Sequence, residues 1–202
     1  MGTSFPTRFI MVKIRTIETE RLRLRKYAAE DAEAAFNELY SNDNVMRFSP
    51  TPTHSNISET REYIETVLKK YETHPDTAFN WHVELKSSGE LIGQIGLGET
   101  GYNVDIKAVE LGYDIGEKWR RQGYATEALA AVIKFFFEEV GVNRVWAFHD
   151  TENPNSGKVL QKCGLKYEGT LRQTHRNHLG DKRDIKLYGL LAEEYFNSSA
   201  DQ

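Results

Sequence analysis

The stretch from Glu110 to Gly141 constrains the fold of this chain more than any other. Every other residue from Val109 to Ile115 is apolar, and this two-residue period predicts a half-buried strand. Beyond a glycine-bearing turn, apolar residues recur at three- and four-residue spacing and predict a helix that ends at Gly141. The segment 142–148 that follows is rich in β-branched and aromatic residues and predicts a second strand. A strand, a helix and a strand in this order predict a right-handed crossover between parallel neighbours.

The turn between the first strand and the helix reads RRQGYA over residues 120–125. A turn that opens a helix presents backbone N–H groups without intrahelical acceptors, so it can bind an anion. The turn lacks the Gly-Lys-Ser/Thr of a P-loop and has one glycine where a dinucleotide fingerprint needs three. Neither ATP nor NAD is therefore the natural anion. A plain turn with two solvated arginines is the alternative that this stretch alone leaves open.

Composition narrows the class of protein. The chain has 202 residues, which suits one domain, and we assign residues 14–202 to it and residues 1–13 to an N-terminal extension. With 26 basic and 30 acidic residues, the chain lacks the basic excess of a nucleic-acid-binding protein. No stretch approaches the roughly twenty apolar residues of a membrane span, so no membrane partner is expected. The single cysteine, Cys163, excludes an internal disulfide and fits a reducing cytoplasm.

The remaining pattern predicts a mixed α/β (α+β) domain. Strands are expected at about 21–25, 78–85, 91–97, 105–115, 142–148, 167–174 and 183–191. Helices are expected from Glu30 to Leu39, from Ser58 to Tyr71, behind the glycine turn, and from Asn153 to Cys163. The polar segment 41–56 between the first two helices is expected to be a long loop. Such a loop either lines a site or merely connects the helices.

Six segments in this order resemble the GNAT superfamily of N-acetyltransferases, and its RimJ/RimL-like branch most closely. They are TERLRLR (19–25), NDNVMRF (42–48), LIGQIGL (91–97), ELGYDIGEKWRRQGYATEAL (110–129), NPNSGKVLQKCGLKYEG (153–169) and RDIKLYGLL (183–191). The resemblance covers residues 17–196. It implies a mixed, mostly antiparallel sheet of about seven strands flanked by about four helices, with the sheet splayed between the fourth and fifth strands.

The resemblance also implies that acetyl-CoA is the co-substrate and that no metal is needed. Backbone N–H groups of residues 121–126 would hold its pyrophosphate, with Arg120 or Arg121 adding charge. Its pantetheine arm would enter the splay like an added strand. The residues expected to bind acetyl-CoA are Tyr113, Asp114, Ile115, Arg120, Arg121, Gln122, Gly123, Tyr124, Ala125, Thr126, Asn153 and Ser156. Asn153 is equally suited to be only a helix cap.

Two residues are expected to be catalytic. Glu110 matches a position where many GNAT enzymes have a glutamate, which would accept the proton of the attacking amine; the alternative is an exposed strand acid. The tyrosine that often lies seven residues after the motif asparagine is here Leu160. Ser156 would then act as the general acid that protonates the departing thiolate. Alternatively, no general acid is needed, because a thiol with a pKa near 8.5 leaves readily.

Other reactive side chains have plainer interpretations. Cys163 lacks a histidine partner in sequence, so a packing role is expected. His149 and Asp150 follow a predicted strand and would either line the cleft or lie in a solvated loop, and the loop is expected. His82 would either act as a second base or pack within the sheet. His175 and His178 have no third ligand nearby, so they predict no metal site.

The resemblance therefore predicts an acetyl-CoA-dependent N-acetyltransferase that transfers acetyl directly to a primary amine. The acceptor would be a protein N-terminal amine, as in ribosomal-protein acetylation, or a small amine. The alternative is an acyl-CoA-binding sensor without turnover. Specificity for the acceptor would lie in the 41–56 loop and the 172–184 hairpin, and exposed strand edges would allow a homodimer.

Overall fold

The computed structural model describes residues 12–177 and 180–200, and a single eight-stranded sheet runs through them. The strands are β1 (Ile17–Glu18), β2 (Leu22–Arg25), β3 (Asn80–Leu85), β4 (Leu91–Asn103), β5 (Ala108–Ile115), β6 (Arg144–Asp150), β7 (Lys166–Arg176) and β8 (Lys182–Leu191). Their order across the sheet is β1-β2-β3-β4-β5-β6-β8-β7. Only the β5–β6 pair is parallel. Residues 1–11 of the expected N-terminal extension lie outside the described residues, as does His178.

Six helices accompany the sheet. They are α1 (Ala32–Ala35), α2 (Asp43–Met46), α3 (Ile57–Thr73), α4 (Tyr124–Phe135), α5 (Pro154–Lys162) and α6 (Ala192–Ala200). A 3-10 turn (Ala29–Asp31) leads into α1, and a second one (Glu117–Trp119) follows β5. Helices α1 and α4 each continue as one turn of π-helix, Phe36–Tyr40 and Phe136–Val140. Gly141, in the left-handed conformation, ends the second of these, as predicted.

The two faces of the sheet are covered by different helices. In β3, Trp81 packs against the rings of Phe135 and Phe136 at the end of α4 and the turn that follows. The next residue, His82, instead contacts Asp31 at the start of α1. Because successive residues of a strand point to opposite faces, α4 covers one face and α1 the other. We call these the α4 face and the α1 face.

The predicted mixed, mostly antiparallel fold is confirmed, and the differences are local. The short β1 and the helices α2 and α6 are additional elements. Helix α2 lies in the segment 41–56 that was predicted to be a loop, and the Asn42 side chain caps it by accepting a hydrogen bond from the Asn44 N–H (2.9 Å). Strand β4 extends to Asn103, although the predicted strand ended at residue 97.

Candidate active site

A wedge opens in the sheet between β5 and β6. The two strands pair only where residues 108–110 lie beside residues 144–146. From Leu111 to Ile115, β5 keeps its partner β4 but has no strand partner on its other side among the described residues. This is the predicted splay, which lies after the fifth rather than the fourth strand because β1 adds one to the count. An extended ligand can therefore enter and pair with β5.

The turn behind β5 has the geometry of an anion site. Gly123 (φ +86°) is the N-cap of α4, and Arg121 also has a positive φ (+62°). The first backbone bond of the helix is donated by the Glu127 N–H to the Gly123 carbonyl (3.0 Å). In the part of the chain that the structure describes, the N–H groups of residues 124–126 donate to no protein acceptor. They can therefore bind a phosphate, at the positive end of the helix dipole.

The two arginines of this turn have different environments. Arg120 is held by the chain itself, because its Nε donates to the Ile115 carbonyl (3.1 Å) and its Nη2 to the Asn44 carbonyl (2.9 Å). Arg121 is exposed and makes no ion pair or hydrogen bond within residues 12–177 and 180–200. Gln122 donates to the Lys118 carbonyl (3.0 Å). Arg121 is therefore the free cation of the turn within the described residues, whereas Arg120 joins the end of β5 to α2.

A third arginine beside the turn was missed by the sequence analysis. The guanidinium of Arg21 donates to Glu127 Oε2 (2.6 Å) and to the Gln122 carbonyl (3.0 Å), and lies 4.5 Å from the ring centroid of Tyr124. A Cβ built on Gly123 would lie 3.2 Å from Arg21 Nη2. Arg21 is about one hundred residues away along the chain, so the pattern of its own strand could not place it here. Its place in the TERLRLR segment was the one available signal.

Glu110 lies at the point where the wedge begins, and it is buried rather than exposed (2%). Its carboxylate accepts hydrogen bonds from the Glu99 N–H (3.2 Å), the Thr100 N–H (2.8 Å) and the Thr100 hydroxyl. Four residues of β4, 98–101, lie opposite this single residue of β5. A Cβ on Gly98 would come within 2.1 Å of Glu110 Oε1, so the glycine makes room for the carboxylate.

Side chains of β5 beyond Glu110 alternate between the two faces of the wedge. On the α4 face, the hydroxyl of Tyr113 lies 2.8 Å from Ser156 Oγ. On the α1 face, Asp114 accepts a hydrogen bond from Gln94 Nε2 (2.8 Å). Burial raises the pKa of both Tyr113 and Asp114, while the bond from Gln94 opposes this for Asp114. Ile115 is buried.

Behind Asp114, the side-chain amide of Gln94 forms hydrogen bonds with two further polar side chains. Its Oε1 accepts hydrogen bonds from the hydroxyls of Tyr27 (2.5 Å) and Tyr40 (2.6 Å). In register across the sheet, Asp114 lies beside Gln94, which lies beside His82. His82 is fully buried, stacks on Tyr27 (3.5 Å between ring centroids) and bonds Asp31 through Nδ1 (2.8 Å). It is packed within the sheet, and its burial lowers its pKa.

Helix α5 begins at the α4 face of the wedge. Asn153 is its N-cap and accepts from the Ser156 N–H (3.4 Å), and Pro154 follows as the first helical residue. The cap uses Asn153 Oδ1 and leaves its amide N–H groups available to a ligand. Leu160 is completely buried and carries no polar atom, so it offers no hydroxyl to the wedge. Ser156 is half-buried beside Tyr113.

Two expectations outside the main site have different outcomes. Cys163 is half-buried at the end of α5, its thiol contacts the Thr126 carbonyl (3.4 Å), and burial raises its pKa to about 12. A packing role accounts for these contacts. His149 and Asp150 were predicted to lie in a solvated loop, and this was wrong. They end β6 and are 6% and 9% exposed, because α5 covers His149 and the Arg183 guanidinium pairs with Asp150 (2.5 Å).

A row of side chains, which we call the trough, runs along β6 on the α1 face. Trp146 is the register partner of Glu110, and Phe148 and Asp150 follow on the same face at two-residue steps. At about 3.3 Å per residue, the line from Trp146 to Asp150 is roughly 13 Å long. The ring of His175 in β7 contacts Phe148 (4.9 Å between centroids). This side of the wedge is therefore lined by half-buried aromatic rings.

At the far end of this trough lies a cavity of about 370 Å³, between the α2 segment and the β7–β8 hairpin. Both of its arginines are paired, Arg47 with Glu152 (3.3 Å) and Arg183 with Asp150 and Glu152. Asp43 and Asp181, which also line it, have no basic partner among the described residues. Within the described residues, the cavity therefore offers uncompensated negative charge to a cationic group. It joins the two segments that were expected to select the acceptor.

Within the described residues, no cluster of three histidine, cysteine, aspartate or glutamate side chains could hold a metal ion. The helices of the same residues include none with the length and apolar content that crossing a bilayer requires.

Comparison with known proteins shows which protein family this chain matches. Residues 21–166 match the model of the acetyltransferase (GNAT) domain. The uncharacterized N-acetyltransferase YoaA of Bacillus subtilis is 31% identical over 175 residues, which are 87% of this chain and 96% of that protein. The [ribosomal protein uS5]-alanine N-acetyltransferase of Escherichia coli is 37% identical over 62 residues, 31% of this chain and 32% of the enzyme. The crystal structure of a GNAT-family acetyltransferase from Bacillus anthracis superposes with a TM-score of 0.77 at 28% identity, covering 89% of this chain and all of that one.

Proposed function

The chain belongs to the GNAT acetyltransferase family and is an acyltransferase, and from this premise we propose that it transfers acetyl from acetyl-CoA to the N-terminal amine of a polypeptide in the cytoplasm. The observation that carries the proposal is the wedge at Glu110, whose two faces present different groups. One face has the N–H groups of α4 and the cap of α5, and the other has the aromatic trough.

The α4 face suits the donor. The free N–H groups of residues 124–126, with Arg121 and Arg21 beside them, would hold the pyrophosphate. The open edge of β5 from Leu111 to Ile115 would pair with the pantetheine arm, and the Asn153 amide would contact the same arm. Acetyl-CoA supplies the activated acyl group, and these residues bind and orient it.

The α1 face suits an extended acceptor. A trough of roughly 13 Å accommodates about four residues of extended chain, which is more than a small amine would fill. The aromatic rings of Trp146 and Phe148 line it, and Asp43 and Asp181 lie at its end. A polypeptide that enters at the cavity would bring its terminal amine beside Glu110, and Glu110 would accept the amine proton directly or through a water. The identity with the uS5-alanine enzyme over one third of the chain supports the same acceptor class.

The proposal is tested by measuring free-thiol release from acetyl-CoA with purified protein. The acceptors are peptides with free amino termini, the same peptides with blocked termini, polyamines, amino acids and aminoglycosides. We expect release only with the free peptides, at rates that rise with peptide length to about four residues. Release with small amines alone would assign a small-amine acceptor. Binding of acetyl-CoA without release would favour the sensor.

Two variants separate the acceptor side from the donor side. Trp146→Ala should raise KM for a peptide about tenfold and leave KM for acetyl-CoA unchanged, because Trp146 faces the trough. Phe196→Ala, on the exposed side of α6, is the matched control and should change neither constant. An unchanged peptide KM in Trp146→Ala would place the acceptor elsewhere.

A further inference from the structure

One tyrosine joins the two halves of the wedge by its hydroxyl. Tyr113 lies on β5, whereas Ser156 lies on α5, which packs against β6, β7 and α4. The Tyr113 hydroxyl lies 2.8 Å from Ser156 Oγ and 3.1 Å from the Ser156 carbonyl oxygen. This contact crosses the gap that the strands leave open. It places two hydroxyl groups at the floor of the wedge, on the face where the donor would bind.

The phenol has a single hydrogen, and this limits what the pair can do. When that hydrogen points to the Ser156 carbonyl, the serine hydroxyl can donate back to the phenol oxygen. When it points to Ser156 Oγ, the serine keeps its own hydrogen for a third group. Only the second arrangement gives a donor that is directed into the wedge.

We propose that Tyr113 is a positioning residue that donates to Ser156, so that the serine hydroxyl donates a hydrogen bond to the sulfur leaving the acetyl group. The inference rests on the function proposed above. Leu160 cannot take this part, because it is an apolar side chain with no exposed surface. A chain of two hydroxyls ending on a charged sulfur is cooperative and charge-assisted, so each bond strengthens the other.

The bonds and protons balance without any further reactant. The lone pair of the neutral amine forms the C–N bond, the C–S bond breaks, and its electron pair stays on sulfur. The proton of the attacking nitrogen goes to Glu110 or to a water molecule. Both hydroxyls keep their protons, and the thiolate takes one from solvent after it leaves. Because burial raises the pKa of Tyr113, its phenol stays a donor at neutral and mildly alkaline pH.

The decisive measurement is the pKa of the thiol of CoA bound to the protein, followed through the ultraviolet absorbance of its thiolate. We expect this pKa to be higher by about one unit in Tyr113→Phe and in Ser156→Ala than in the unmodified protein, a tenfold change in proton affinity. The single protein thiol, Cys163, is the same in every variant, so its absorbance cancels in the comparison. Turnover should show a matching fall in kcat of about tenfold, with an unchanged KM for acetyl-CoA.

The double variant tests whether the two hydroxyls act together. If they do, Tyr113→Phe with Ser156→Ala should lose no more kcat than Ser156→Ala alone. Tyr167→Phe, in which an exposed hydroxyl bonded to Thr170 is removed, is the matched control and should leave every value unchanged.

Three results would overturn the inference: an unchanged CoA thiol pKa in folded Tyr113→Phe, an unchanged CoA thiol pKa in Ser156→Ala, or a change confined to KM. Should Tyr113→Phe fail to fold, the CoA thiol pKa in Ser156→Ala alone supports or overturns the inference. Failure of the proposed function looks different, because the unmodified protein would then release no thiol with any peptide, whatever the pKa of the bound CoA thiol.

Discussion

The carboxylate of Glu110 accepts three hydrogen bonds from Glu99 and Thr100, so it organises β4 as well as facing the wedge. In Glu110→Gln, the side-chain NH₂ group would take the place of one carboxylate oxygen. It would then face a backbone N–H donor that had been bonded to that oxygen. We expect the free energy of unfolding to fall by about 1–3 kcal/mol. If Glu110 is also the base, kcat should fall by at least about a hundredfold while the affinity for acetyl-CoA is kept. Denaturant unfolding and the thiol-release assay measure the two effects.

Thr100→Val is the control that separates these two contributions. It removes only the hydroxyl donor and leaves the carboxylate and both backbone donors in place. It should cost stability but little turnover. A loss of kcat as large as that of Glu110→Gln would mean that Glu110 acts only by holding β4.

Asp114 gives a second prediction at the scale of one residue. Its pKa in the folded chain is raised above the ordinary 3.8, chiefly by burial, so the folded state binds this proton more tightly than the unfolded state does. Stability from this group is therefore lost as pH rises above 3.8. Asp114→Asn removes the charge and can still accept from Gln94. Denaturant unfolding should show the variant gaining stability over the parent as pH rises from about 4 to neutrality. A difference that is constant with pH would contradict this.

Among the helices and strands, the start of α4 requires a left-handed backbone conformation at Gly123 and would also bind acetyl-CoA. Gly123 has a φ of +86°, and Arg21 fills the space beside it. We expect Gly123→Ala to lower the free energy of unfolding by about 1 kcal/mol, because a side chain is strained in this conformation. Calorimetry should also show about tenfold weaker binding of acetyl-CoA, since the N–H groups of the turn and Arg21 would both shift.

Gly141→Ala provides the comparison for this element. Gly141 has a similar φ (+73°), ends the helix at its other end, and would present its Cβ to open space. It should lose similar stability and bind acetyl-CoA normally. Equal binding losses in the two variants would assign the effect at Gly123 to general destabilisation.

Elements with a clear period were predictable from the sequence, and those held by distant partners were not. The strand ending at Ile115 and the helix ending at Gly141 follow from local alternation and a glycine stop. The extension of β4 to Asn103 could not be predicted from local pattern, because residues 98–101 are held by the Glu110 carboxylate from the next strand. Arg21 illustrates the same limit for the site, since its partners are Gln122 and Glu127.

Across the whole molecule, three histidines make stability depend on pH. Burial lowers the pKa of His54, His82 and His149 below the ordinary 6.5. Below pH 6.5 the unfolded chain therefore binds protons at these histidines that the folded chain does not bind. The free energy of unfolding consequently falls as pH falls through that value. Denaturant unfolding from about pH 8 to pH 5 should show this decline. His54→Gln should make this decline less steep. An equally steep decline in His54→Gln would refute this assignment for His54.

The short contact between β5 and β6 also bears on how the chain folds. Strands β1 to β5 pair in sequence order within residues 17–115, and β6 to β8 pair within residues 144–191, so the pairings inside each group are confined to one continuous stretch of the chain. Among the strand pairings of the described residues, the three-residue β5–β6 ladder alone joins the two groups, and it must wait for α4 to close a long loop. We expect the two groups to form as separate cooperative units whose docking comes last. The opening between β5 and β6 that would admit acetyl-CoA is therefore also the boundary across which the two groups of strands dock last.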